Sequence, residues 1–311
     1  MLVGCRADKS ERVLALGTSA DEPIVFAHRG GAGEVPESTV MGIAETLARY
    51  PAVGIEVDVR GSRDGHVVAV HDSTVERTTD GQGRVETLSL AELRALDAGY
   101  CTTPGQGRGT PGRGECHDAD PAGFPFRGKG YRIATLEDIV AVVPRTTYLA
   151  IEVKAAGLEQ KIAASLRESR DLSNTIVGSS KSEIADRLAA LLPGARHFFA
   201  RGEGTRFCVS TKTLGSLAPD VAANRVLAIP PAGLGMRLDT RGFIRAAQAR
   251  GALVLYFTIN DEDQMAELLR RGADGLITDY PARAFAVLER FRALATGRGV
   301  RDRAHALASA R

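Results

Sequence analysis

The sequence predicts an α/β fold, a TIM-type (β/α)8 barrel of parallel strands with an inserted loop or subdomain after strand 3. Three observations lead there. Short apolar runs rich in β-branched residues alternate with amphipathic helical stretches, the pattern of βαβ units in a parallel sheet. The alternation runs for about 250 residues, the usual span of such a barrel. Four of the runs also end in polar clusters, where the strand ends of a barrel converge.

Residues 1–22 read as a polar leader, 23–295 as the barrel and 296–311 as a basic, Ala-rich C-terminal tail. Strands are expected at 24–28, 53–59, 67–71, 147–153, 174–179, 195–200, 225–229, 253–259 and 274–278. Each is a short apolar run bounded by turn-forming residues. Helices are expected at 38–50, 135–143, 158–169, 181–192, 240–250, 261–271 and 282–295, where apolar residues recur at helical spacing. Nine strands for eight places make one of 195–200 or 225–229 an edge or loop segment. Between about residues 100 and 131 the chain is rich in Gly, Pro and Arg without a clear period, and reads as an insertion over the pocket.

An apolar content of 44% and a charged content of 25% are those of a globular protein. A net charge of +2 leaves no strong nucleic-acid footprint. No apolar stretch approaches the roughly 18 residues of a membrane span. Leu2-Val3-Gly4-Cys5 has the small-residue pattern of a lipoprotein cleavage box, but no basic or apolar segment precedes it. As it stands the sequence reads as cytoplasmic, with an extracytoplasmic lipoprotein as the alternative. Cys101 and Cys116 bracket the insertion and are either a disulfide or two free thiols; with His117 they also make a weak metal-site candidate.

The polar clusters are His28-Arg29-Gly30, Glu56-Val57-Asp58, His71-Asp72 and Glu152-Val153-Lys154. A polar residue late in a buried strand is costly without a partner, so four such ends point to one shared site. Residues two apart on a strand face the same way, which pairs Glu56 with Asp58 and Glu152 with Lys154. Three carboxylates, Glu56, Asp58 and Glu152, make an oxygen-rich site for one hard divalent cation, Mg2+ or Ca2+. Zinc suits the set less, because no His or Cys lies at close ligand spacing. Arg29 can grip a phosphate with its planar fork and Lys154 can add a point charge. His28 and His71 supply the acid and base that displacement at phosphorus needs near neutral pH. Asp72 either orients an imidazole or opens a turn. The remaining histidines look less chemical: His66 in a hairpin-like turn, His117 in the insertion, His197 packed and His305 in the tail. Gly30-Gly31-Ala32-Gly33 lacks the spacing of a dinucleotide fingerprint and reads as a tight turn that lets backbone approach a phosphate.

In this order the motifs resemble the glycerophosphodiester phosphodiesterase family. The resemblance rests on His28-Arg29-Gly30, Pro36-Glu37-Ser38-Thr39, Glu56-Val57-Asp58, Arg63-Asp64-Gly65, His71-Asp72 and Thr79-Asp80-Gly81. It continues through Thr135-Leu136-Glu137, Glu152-Val153-Lys154, Thr258-Ile259-Asn260 and Gly275-Leu276-Ile277-Thr278-Asp279-Tyr280-Pro281. It implies a metal-dependent hydrolase that cleaves a small-molecule glycerophosphodiester to an alcohol and sn-glycerol 3-phosphate. By that likeness His28 and His71 are the acid/base pair, Glu56, Asp58 and Glu152 hold the cation, and Arg29 and Lys154 contact phosphate. Departures are Ser38 for the family's Asn, Phe257 for its Trp and Ala134 for its Pro; Ser38 is still expected to cap a helix. Two alternatives stand beside this reading. One is a phospholipase D-like enzyme for lysophospholipids or sphingomyelin, for which the insertion offers Phe124, Phe126 and Tyr131 as apolar surface. The other is a catalytically silent barrel acting as a binding module.

Overall fold

The chain is seen in a computed structural model that describes residues 23–105, 116, 121–222, 224–233 and 235–293. The leader, the tail, His117 and His305 lie outside the described residues.

Eight parallel strands close into a barrel: β1 (Ile24–Ala27), β2 (Gly54–Gly61), β4 (Leu149–Val153), β5 (Thr175–Gly178), β6 (Arg196–Phe198), β7 (Arg225–Ile229), β10 (Leu253–Tyr256) and β11 (Gly275–Thr278). Ile24 pairs with Gly275 on one side of β1, and Phe26 pairs with Gly54 on the other, which joins the two edges. The helices follow in chain order: α1 (Val40–Arg49), α2 (Leu90–Ala95), α3 (Leu136–Val142), α4 (Glu159–Ser169), α5 (Ser182–Leu191), α6 (Arg201–Leu214), α7 (Arg241–Ala249) and α8 (Glu262–Arg271), with a further helical stretch over 281–293.

The strand count resolves differently from the sequence expectation. Segments 195–200 and 225–229 both supply barrel strands, as β6 and β7. The extra strand is β3 (Val67–Ala69), which runs antiparallel to β2 with Val59 opposite Ala69 and Gly61 opposite Val67. The reason is connection length. A parallel crossover needs a dozen or more residues, and Ser62–His66 permits only a hairpin. A small hairpin also forms from β8 (Ala232–Gly233) and β9 (Met236–Arg237). Helix α6 escaped the periodicity reading because Gly202, Gly204 and its Thr and Val residues are weak helix formers.

Strand alternation builds two apolar layers. Ile24, Phe26, Ala150, Ile176, Val226 and Leu255 fill the barrel interior. Ile55, Val57, Val59, Ile151, Val177, Leu227 and Val254 face the helices. On β2 the outward set is Ile55, Val57 and Val59, so Glu56 and Asp58 turn inward. Gly54, next in the inward series, leaves room for the Phe26 ring; a Cβ there would sit 2.7 Å from Phe26 Cδ1.

The segment between β3 and α3 has its own apolar cluster of Val70, Val75, Val85, Leu93, Ala98, Tyr131 and Ile133. Cys101 and Cys116 are joined as a disulfide with Cα atoms 5.4 Å apart. Their sulfurs are therefore not thiolate ligands, which removes the metal candidate built on them with His117. Arg127 stacks between the Tyr100 and Phe124 rings and donates to the carbonyls of Tyr100 and Cys116. Phe124 and Tyr131 are buried in these clusters, and Phe126 is half-buried against Tyr131. Among the described residues no helix is long and apolar enough to cross a membrane.

Candidate active site

His28, Arg29, Glu56, Asp58, His71, Glu152 and Lys154, the whole set expected from the sequence, line one cavity of about 640 Å3 at the C-terminal ends of the strands. Each arrives there for a local reason. His28, Arg29 and Gly30 form a single tight turn directly after β1, with Arg29 at φ 52°. Gly30 and Gly31 follow at φ 81° and 105°, values that glycine reaches without strain. Thr46 Oγ1 donates to the Gly30 carbonyl at 2.7 Å and ties the turn to α1. Asp58 and Glu152 sit at paired positions on β2 and β4. The third carboxylate is thus on the neighbouring barrel strand, closer than a reading with β3 in the barrel implies.

Cations and carboxylates interleave. Arg29 donates its backbone N–H to Glu56 Oε2 at 3.0 Å, and its Nε lies 3.4 Å from Asp58 Oδ2. Lys154 Nζ stands between Asp58 Oδ1 at 2.9 Å and Glu152 Oε2 at 2.7 Å. Burial, and then the neighbouring Asp58 charge, push the Glu56 carboxyl up to about 7. Burial opposes the Lys154 charge, but Asp58 and Glu152 outweigh it and raise its pKa.

Both histidines are gripped from behind. His28 Nδ1 lies 2.6 Å from Asp279 Oδ1, and Asn260 Nδ2 donates to the other oxygen at 2.6 Å. Burial works against the His28 charge, yet the Asp279 hydrogen bond and Glu56 prevail and raise its pKa. His71 Nδ1 lies 2.6 Å from Asp72 Oδ1, so Asp72 orients the ring. Arg60 holds the His71 carbonyl with Nε at 3.0 Å and Nη2 at 2.9 Å.

Behind Asp72 runs a chain that sequence reasoning missed. Arg77 Nε donates to Asp72 Oδ2 at 2.5 Å. Its two terminal nitrogens clamp Glu37 Oε1 and Oε2 at 2.7 Å each. Glu37 also accepts from Arg29 Nη1 at 3.3 Å. Burial would raise the Glu37 carboxyl, but the Arg77 and Arg29 charges overcome it and hold it at about 2. Arg77, Glu37, Asn260 and Asp279 thus support the site without having been assigned roles in it. Asp279 had a legible signal, since it follows the apolar run Gly275–Thr278 as His28 follows β1. Arg77 sits in a loop and had none.

Ser38 departs from expectation. Thr39, not Ser38, caps α1, its hydroxyl accepting from Gly42 N at 3.1 Å. Ser38 is buried at φ 55°, and among the described residues its hydroxyl has no hydrogen-bond partner. Asn tolerates that backbone region better than Ser. The other histidines in view are structural: His197 is buried with Nε2 2.9 Å from the Leu192 carbonyl, and His66 is exposed in the turn before β3. After His71, no described residue of the inserted segment lines the cavity, and residues 106–115 and 117–120 of it lie outside the described residues. At its two ends Gly105 N bonds the Gly33 carbonyl and the Tyr131 hydroxyl bonds the Glu45 carboxylate.

Among the described residues no three His, Cys, Asp or Glu side chains are gathered as a metal cage. The donor set nonetheless suits a hard cation. Among the described residues Asp58 Oδ2 is buried without a hydrogen-bond partner, and burial together with the Asp58 charge disfavours a bare Glu56 carboxylate.

The chain is similar to known proteins in both sequence and fold. Residues 28–191 and 204–283 match the sequence pattern of the glycerophosphoryl diester phosphodiesterase family. A Bacillus subtilis glycerophosphodiester phosphodiesterase is 27% identical over 274 residues, covering 85% of each chain. The glycerophosphoryl diester phosphodiesterase domain of a Mycobacterium tuberculosis protein superposes with a TM-score of 0.72 at 22% identity, over 87% of this chain and 100% of that one. An Oleispira antarctica phosphodiesterase, solved with its product sn-glycerol-3-phosphate, superposes with a TM-score of 0.60 at 24% identity, over 86% of this chain and 97% of that one.

Proposed function

The chain belongs to the glycerophosphoryl diester phosphodiesterase family and is an enzyme of that class, and we propose that it hydrolyses glycerophosphodiesters to an alcohol and sn-glycerol 3-phosphate by metal-dependent, two-histidine acid/base catalysis. The observation that carries the mechanism is the pair of imidazoles, each bound through Nδ1 to a carboxylate at 2.6 Å and both lining the cavity of Arg29 and the three carboxylates.

A carboxylate accepts and does not donate, so Asp279 and Asp72 each fix the proton on Nδ1. Nε2 is then the working atom of both rings. His28, whose pKa is raised, keeps a proton on Nε2 and serves as the acid that protonates the leaving alcohol oxygen. His71 takes the proton of the attacking hydroxyl, from water or from the glycerol itself. Arg29 grips the phosphate, and Lys154 adds a second positive charge beside it. Glu56, Asp58 and Glu152 would hold one divalent cation, Mg2+ or Ca2+. When bound, that cation neutralises phosphate charge and stabilises the charge that develops at phosphorus. Lys154, which lies between Asp58 and Glu152, would share those carboxylates with the cation and turn its ammonium to the substrate phosphate.

The test is release of sn-glycerol 3-phosphate from glycerophosphocholine by metal-stripped protein and by protein given Mg2+ or Ca2+. Restoration by one cation supports the reaction and names the metal. Full activity after stripping removes the cation from the mechanism, and no release under any condition from glycerophosphocholine or any other glycerophosphodiester removes the function.

A further inference from the structure

The cavity that holds the catalytic cluster has a second half, and it is apolar. Charged side chains gather at the ends of β1, β2 and β4 and at His71. On the opposite side the described lining includes Phe198, Phe199, Leu227, Ile229, Leu238 and Phe257, and its one charged residue is Arg201. These residues come from two layers of the fold. Phe198 packs with the barrel interior, whereas Phe199, Leu227, Ile229 and Leu238 belong to the layer between strands and helices. The cavity therefore leaves the barrel axis at the ends of β6 and β7 and runs beneath α6, where Thr205 and Cys208 face it.

Such a recess discriminates between phosphodiesters. At about 640 Å3 the cavity lies in the range of drug-sized ligand sites, roughly 300–1,000 Å3. A glycerophosphate with a small polar head group leaves Phe198, Phe199 and Phe257, the part of that wall not already buried, facing water. An ammonium head group meets Arg201 there and no carboxylate. An alkyl chain buries the wall and gains the hydrophobic free energy that a polar group cannot.

Resting on the phosphodiesterase reading above, we propose that this recess binds an alkyl chain carried by the substrate, so that chain-bearing glycerophosphodiesters are cleaved in preference to those with small polar head groups. The chain has two sources. On the alcohol side, water adds at phosphorus, the bond from phosphorus to the fatty alcohol oxygen breaks, and the alcohol leaves with a proton beside glycerol 3-phosphate. On the glycerol side, as in a lysophospholipid, the same bond exchange releases the head-group alcohol and leaves an acylated glycerol phosphate.

The experiment compares kcat/KM, below micelle formation, for glycerophosphocholine, for methyl, butyl and octyl esters of sn-glycerol 3-phosphate, and for hexanoyl and decanoyl lysophosphatidylcholine. In one series kcat/KM rises about three- to fourfold per methylene over the first several carbons, and the products identify the side. Thr205→Phe narrows the recess from α6; it flattens this dependence and leaves glycerophosphocholine turnover unchanged, while Thr205→Ser retains the chain effect. Values of kcat/KM that stay flat or fall with chain length in both series overturn the proposal. Should no diester be cleaved, glycerophosphocholine included, the phosphodiesterase reading has failed, and calorimetric titration with n-alkyl phosphates still decides the recess. Affinity that rises with chain length supports it, and affinity independent of length overturns it.

Discussion

Replacing Arg77 with alanine removes three short charge-assisted bonds together, two to Glu37 at 2.7 Å and one to Asp72 at 2.5 Å. Hydrogen bonds to charged groups contribute roughly 1.5–3 kcal/mol each, but bonds in one network do not add. The Arg77 side chain is also 26% exposed, so water recovers part of the loss. A net destabilisation of about 2–3 kcal/mol follows. The catalytic effect is separate. Without Arg77 the Asp72 carboxylate loses its anchor, and His71 loses the fixed direction that Asp72 imposes at 2.6 Å. Misdirecting a reacting group by about 1 Å costs on the order of 10²-fold in rate. The loss belongs in kcat, because Arg29 keeps its contacts to Glu56 and Asp58 and still meets the phosphate. Arg77→Lys keeps one charge without the fork and should recover part of kcat. The assay is glycerol 3-phosphate release at saturating and subsaturating substrate, well below the melting temperature followed by circular dichroism. An Arg77→Ala protein with wild-type kcat, or with its whole defect in KM, refutes the reasoning.

Glutamine at His28 or His71 keeps a hydrogen bond to the carboxylate behind it but cannot move a proton; kcat should fall ~10²–10⁴-fold, and rates near wild type would remove that residue from the mechanism. Ser38→Gly relieves a φ of 55° and deletes a buried hydroxyl without a partner. Against the entropy that glycine adds to the unfolded chain, it should gain about 1 kcal/mol, or about 2 °C in Tm; a lower Tm would mean the Ser38 conformation is unstrained. Glu37 is held at about 2 against an ordinary value of 4.5, so its contribution is full above pH 4.5 and disappears as the pH falls towards 2. At 1.36 kcal/mol per unit this amounts to roughly 3 kcal/mol. The stability gap between wild type and Glu37→Gln should close across that window in acid titrations at fixed denaturant, and a gap constant with pH counts against it.

What could be read from the sequence, and what could not, divides along a physical line. Glu56 and Asp58 were legible because strand alternation is local: once Ile55, Val57 and Val59 face the helices, the residues between them must turn inward. His28 and Glu152 were legible because a polar group ending a buried strand demands a partner, and a barrel supplies partners at its strand ends. The same rule applied at Asp279, but its partner His28 is 251 residues away, and no periodicity encodes that contact. Arg77 and Glu37 lie in loops, where the contact that matters is between two irregular segments brought together only by the closed barrel. The misplaced ninth strand had a local answer in the short turn between β2 and β3. Helix α6 had none, because its glycines argue against the helix that the layer around β6 and β7 imposes. Ser38 joins both lessons. Its own preference opposes φ 55°, yet Glu37 before it is clamped by Arg77 and Thr39 after it caps α1. The backbone between those two anchors has little choice, and strain that persists between fixed points beside a catalytic cluster is what a site built for geometry tolerates.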